Sequence, residues 1–186
     1  MRGIDAVAAL AEIMPVAHGV DEQVDWIEVE AVWGTRFPLD YVRLMEVYGS
    51  GVIGDGIDIL LPALRAAGYP YTEGPGLQGE TGIARELWEM CRDETDFEVD
   101  LKSIVAWGVT SGADIYCWVT TNEDPDRWPV LTYVRYTDKM QLHPLGMAEF
   151  LLELLGDVAF RGENISTALE DEPTFVNWRN ASPTGP

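Results

Sequence analysis

The chain has 186 residues, 47% of them apolar, with 7 Trp and 7 Tyr. That is enough for one domain with a full core, and too apolar for a disordered chain. A formal net charge of −20 argues against nucleic acid and anionic membranes as partners, since both are held by basic patches.

No apolar run approaches the ~20 residues of a membrane-spanning helix. The N-terminus lacks the basic start and long apolar core of a signal peptide, so a cytoplasmic protein is expected. Cys91 and Cys117 are then expected to be free thiols.

In chain order, Ile4, Val7, Ala8, Leu10, Ala11 and Met14 recur at helical spacing, and Pro15 and Gly19 end that helix. A second helix is expected over residues 22–33, with Trp26, Val29, Glu30 and Trp33 on one side and Gly34 just past its end. A third starts near Pro38. Asp40 sits in its first turn, facing the positive end of the dipole, and Tyr41, Leu44, Met45 and Tyr48 form its apolar stripe.

Gly49, Gly51 and Gly54 then spell G-x-G-x-x-G. The dinucleotide-binding fingerprint needs a strand before these glycines and a helix after them. Here a helix precedes them, and a strand, Ile57 to Leu61, follows. A phosphate would meet a helix C-terminus beside Asp55 and Asp58, so the glycines are read as turning the chain from helix into sheet.

Residues 68–82 read as a long Gly/Pro loop. A helix from Ile83 to Arg92 follows, with Ile83, Leu87 and Met90 on one face. The acidic run from Asp93 to Asp100 reads as a solvated connector. Beyond it, SIVAWGVT, ADIYCWVT and PVLTYVRYT are strands rich in β-branched and aromatic residues, and KMQLH is a fourth. Short turns make them antiparallel. Ile115, Cys117 and Val119 alternate with Asp114, Tyr116 and Trp118. A closing helix over residues 145–158 presents Phe150, Leu151, Leu154, Leu155 and Val158. The expected division is a single domain over residues 1–160 and a partly disordered extension over 161–186, in which FVNWRN docks on the body.

Few residues suggest chemistry. His18 and His143 stand in no ligand motif. Ser50 lacks the full G-x-S-x-G frame. Cys117 has no histidine to pair with. The cluster Glu123, Asp124 and Asp126 suits hairpin chemistry better than a calcium loop.

The stretch DWIEVEAVWGTRFPLDYVRLMEVYGSGVI, with Trp26, Glu30, Gly34, Pro38, Asp40, Tyr41, Leu44, Tyr48, Gly49 and Gly51, resembles the N-terminal signature of the SUKH superfamily, the Smi/Knr-type domains. Trp107, Gly108, Asp114, Trp118, Asp124, Pro125, Trp128, Pro129 and Val130 resemble its central hairpins, and MAEFLLELL its closing helix. The resemblance spans residues 22–156. It implies an α+β fold, an antiparallel β-sheet packed against helices, with N-terminal helices and a closing C-terminal helix. It also implies no shared catalytic residues and no cofactor, so the matching residues are expected to be caps, turns and core aromatics.

Bacterial members of that family are linked to immunity against polymorphic toxins. The expectation is therefore a non-catalytic binding protein that neutralises a cognate toxin, such as a basic nuclease-type domain, by occluding it. The alternative is a regulatory or scaffold module unrelated to toxins. The expected contact residues are Asp93, Glu94, Asp96, Glu98 and Asp100 in the run, and Glu123, Asp124 and Asp126 in the turn. The same acidity also serves solubility alone.

Overall fold

A computed structural model describes residues 3–15, 24–62, 76–169 and 173–178. Its elements are α1 (Gly3–Ile13), α2 (Trp26–Trp33), α3 (Leu39–Val47), β1 (Gly51–Ile53), β2 (Ile57–Ile59), α4 (Leu77–Cys91), β3 (Ile104–Thr110), β4 (Ile115–Val119), β5 (Val130–Val134), β6 (Lys139–His143), α5 (Met147–Gly156), α6 (Val158–Asn164) and β7 (Phe175–Asn177). The strands form one antiparallel sheet in the order β6-β5-β4-β3-β2-β1-β7. The fold is α+β, as expected.

The sheet has helices on both faces, and β4 shows why. Its residues alternate, yet both sets are apolar and buried. Tyr116 and Trp118 join Tyr41, Leu44, Phe150 and Leu151 in the layer of α1, α3 and α5. Ile115, Cys117 and Val119 join Ala84 and Trp88 beneath α4. A strand buried on two sides cannot show an apolar–polar alternation. In β3, Ala106 pairs with Cys117 and Gly108 with Tyr116, so Trp107 is the extra residue of a bulge. Its ring packs against Tyr116, Trp118 and Phe150.

The helix ends follow local chemistry. The Asp25 side chain caps α2 by accepting the Glu28 N–H at 3.1 Å, and Gly34 closes that helix in the left-handed conformation, φ 70. Gly49, just beyond α3, has φ 72, and Gly54 in the β1–β2 turn has φ 56. Gly51 serves differently. It lies in β1, and a Cβ there would stand 2.2 Å from the Val176 carbonyl oxygen of β7. The three glycines thus build a helix end, a close strand contact and a turn.

Several expectations shift. The buried face of α1 is Ala6, Val7, Leu10 and Met14, with Ile4 half exposed at 50%. Helix α4 begins at Leu77, inside the stretch expected to be loop. The glycines at 79 and 82 suggested a loop, since each costs a helix about 1 kcal/mol. Packing outweighs them. Leu77 and Thr81 are buried, and the Thr81 hydroxyl donates to the Leu77 carbonyl while accepting the Ala106 N–H of β3 at 2.9 Å. The helix therefore buries Leu77, Thr81, Ala84, Trp88 and Cys91, and leaves Ile83 and Met90 exposed.

The closing helix stops at Gly156, where Asp157 caps α6, so Val158 is exposed. The expected division at residue 160 falls inside α6. Beyond that helix, Ile165 is in the core, and FVN docks as β7 on β1. Buried Asp114 anchors this return. Its carboxylate accepts the Ser166 N–H at 2.7 Å, the Ser166 hydroxyl, the Thr110 hydroxyl at 2.7 Å and the Arg135 N–H at 2.9 Å. Helix α2 starts at Trp26, behind its Asp25 cap, rather than at the expected residue 22. His18, residues 68–75 of the expected loop and the terminal ASPTGP lie outside the described residues.

Candidate functional site

The acidic run leaves the C-terminus of α4 through a 3-10 turn at Arg92–Glu94 and reaches β3 through a second at Leu101–Ser103. Between them the chain alternates. Asp96, Glu98 and Asp100 are exposed, while Phe97 is half-buried and Val99 buried. The Phe97 ring stacks on Trp88, centroids 5.7 Å apart, and both apolar residues belong to the cluster under α4. The expected solvated connector is instead a strap pinned at every second residue, with its carboxylates turned outward. Asp93 and Glu94 are exposed at its start. Asp100 has a local duty as well: its side chain accepts the Lys102 N–H at 3.0 Å.

The second group is a structural turn. The Asp124 N–H donates to the Asn122 side chain, and the Asp126 N–H to Asp124. The Trp128 indole donates to the Asn122 carbonyl at 2.8 Å. Asp124 faces Arg36 at 3.8 Å and Arg127 at 3.7 Å. Asp126 accepts the Leu39 N–H at 2.7 Å, and so caps α3 from a distant part of the chain. Of the three acids, Glu123 alone is exposed without a role of this kind.

The two groups meet at one end only. The Thr120 N–H donates to the Ser103 carbonyl at 2.8 Å, which brings Asp100 and the turn to the same end of the sheet. Glu94 lies at the opposite end, beside Asp138, Lys139 and Met140. The strap crosses the α4 side of the molecule, and the turn extends its far end.

Little positive charge offsets this surface. Arg85 donates to the carbonyls of Ile104 and Lys102, and Arg161 to those of Leu154 and Leu155. Arg135 donates to the Tyr133 hydroxyl. Arg43 pairs with Glu46 at 2.8 Å, and Arg92 reaches Asp93 at 3.8 Å. Every described arginine is thus committed to a local contact, and Asp96, Glu98 and Glu123 face solvent without one.

The remaining candidates hold structural positions. The Ser50 hydroxyl donates to the Ile59 carbonyl at 3.0 Å. Burial pushes the thiols of Cys117 and Cys91 up, away from the thiolate. His143 is wedged between Phe150 and Phe160, and burial lowers its pKa. Among the described residues no group of three or more His, Cys, Asp or Glu is placed to hold a metal ion. No described helix is long and apolar enough to cross a membrane.

One arrangement escaped the sequence reading. Glu80, within the expected loop, is buried in α4 near Asp58 of β2; burial and the charge of Asp58 raise its carboxyl, and partial desolvation raises that of Asp58, which stays exposed. The one signal in the sequence is Asp58 standing between two isoleucines, Ile57 and Ile59.

Comparison with protein-family models, with curated proteins and with solved structures finds no match to this chain.

Proposed function

We propose that the chain is a non-catalytic binding protein that neutralises a basic protein partner, as an immunity protein neutralises its toxin, by covering the partner's groove. The observation that carries this reading is the strap of residues 93–100, whose exposed carboxylates are held outward by Phe97 and Val99. A preformed acidic strip gives up little conformational entropy on binding. It also speeds encounter with a basic groove and opposes an acidic one. The resemblance to the SUKH superfamily supports the same reading. Its caps and core aromatics, such as Gly34, Tyr41 and Trp118, hold structural places and leave the surface to recognition. The reading puts the protein in the cytoplasm, where both buried cysteines remain thiols.

The test is capture of partners by the tagged protein from its own cells, at low and then high salt. One dominant basic protein whose toxicity the chain suppresses, and whose capture weakens with salt, is the expected result. A housekeeping or signalling partner favours a scaffold module. Capture indifferent to salt overturns the electrostatic part.

A further inference from the structure

The sheet face beneath α4 is apolar until it reaches β2. Ile57 and Ile59 are buried in the opposite layer, so strand alternation turns Asp58 toward the α4 side. There it pairs in register with Val109 of β3, a residue packed against the cluster under α4. The first turns of α4 reach the same region, with Thr81 bonded to the β3 backbone at Ala106.

Glu80, one residue before Thr81, is 8% exposed, while Asp58 remains open to solvent. Neither carboxylate has a hydrogen-bond or ion-pair partner among the described residues. Arg85, the cation on the same helix, donates instead to the carbonyls of Ile104 and Lys102. Burial raises the Glu80 carboxyl, and the charge of Asp58 raises it further.

A buried carboxylate without a partner is costly, and a second carboxylate beside it adds repulsion. A cation removes both penalties. Calcium asks for about six to eight oxygen ligands, more than two side chains supply, and no third acidic, His or Cys side chain joins them among the described residues. Magnesium, which keeps its waters and needs only one or two carboxylates, is the rival occupant. A guanidinium is planar, weakly hydrated and able to bond two carboxylates at once.

We propose that Asp58 and Glu80 form a binding site for the guanidinium of an arginine on the partner protein, with Asp58 at the mouth and Glu80 at the floor. The proposal rests on the reading of the chain as a binder of a basic protein, and gives that partner an anchoring residue.

The probe is arginine amide, titrated into the full chain and followed by amide NMR, with magnesium chloride in a parallel arm. Saturable shifts confined to residues 57–59 and 77–81 are expected. Asp58→Asn and Glu80→Gln should each weaken them by about tenfold, the loss of one charge-assisted bond. Because Asp58 is exposed, its variant decides the matter if the Glu80 variant fails to fold.

Shifts that spread over the acidic surface and persist in Asp58→Asn overturn the site. So does saturation by magnesium with none by arginine amide. A partner captured equally well by wild type and Asp58→Asn overturns the anchor and leaves the binding function standing. If no partner is captured, the function fails, and the arginine titration still decides the site.

Discussion

The Asp40 carboxylate accepts the Ala148 N–H at 3.0 Å, across 108 residues of chain, and the Tyr41 N–H at 2.8 Å. One side chain therefore serves the first turns of both α3 and α5. It explains why a charged residue in the first turn of a helix is buried, at 5% exposure. Removing it in Asp40→Ala strands two buried donors and should cost about 1–3 kcal/mol. Urea unfolding at neutral pH measures this, and Asp40→Asn, which keeps an acceptor, should recover part of the loss.

The same residue gives the stability a sign with pH. Burial raises the Asp40 carboxyl above its usual 3.8, against the lowering by its two backbone bonds, and the charges of Asp126 and Glu149 raise it further. A folded pKa above the unfolded one means the native state holds the proton more tightly. This contribution is complete below 3.8 and is lost as pH rises through the folded value. The stability difference between wild type and Asp40→Asn should therefore fall as pH rises across that acid window. A difference that grows with pH would reverse the assignment.

Isosteric neutralisation of the strap at Asp93, Glu94, Asp96 and Glu98 should slow association with the captured partner and flatten its dependence on salt. Dissociation should change less. Stopped-flow kinetics at several ionic strengths provide the test. Asp100 is better left in place, since its side chain caps the turn into β3. An unchanged association rate removes the strap from the interface.

Asp126 has a structural duty that a contact residue would lack. Its bond to the Leu39 N–H at 2.7 Å predicts that Asp126→Ala loses about 1 kcal/mol of stability, as helix caps do. Thermal unfolding reports the loss. Glu123→Gln, in the same turn, should leave stability unchanged.

Gly51→Ala should loosen β7. The added Cβ would meet backbone, the Val176 carbonyl and the Asn177 Cα, and backbone has no rotamer by which to yield. Amide exchange at residues 175–177 should accelerate well before exchange in β3 and β4. Equal protection in both would place β7 elsewhere.

Much of the fold was legible because its signals are local. The 3.6-residue recurrence of Tyr41, Leu44, Met45 and Tyr48 follows from α3 having one buried face. β3, β4 and β5 announce themselves by β-branched and aromatic runs between short turns. The glycines after α3 could be refused as a phosphate loop from the order of elements alone.

The misreadings share a cause. Helix α4 starts at Leu77 because its glycines are offset by contacts to β3 that no local window contains. β7 is three residues long, too short to show a period, and it exists because Gly51 lets it approach β1. The acids were visible as a composition, but their separate duties were not. Asp126 caps a helix that begins 87 residues earlier, Asp114 is buried under four hydrogen bonds, and Asp96 and Glu98 face water.

By itself, then, the sequence determined what short-range physics controls: the helical stripes, the hairpins, the caps next to their own helices and the excess of negative charge. Tertiary structure alone decided which carboxylates are buried, which cap distant helices, and which stand unpaired at the surface. Those outcomes depend on packing between elements far apart in the chain, and the cost of burying a charge is set by whatever donors that packing brings to it.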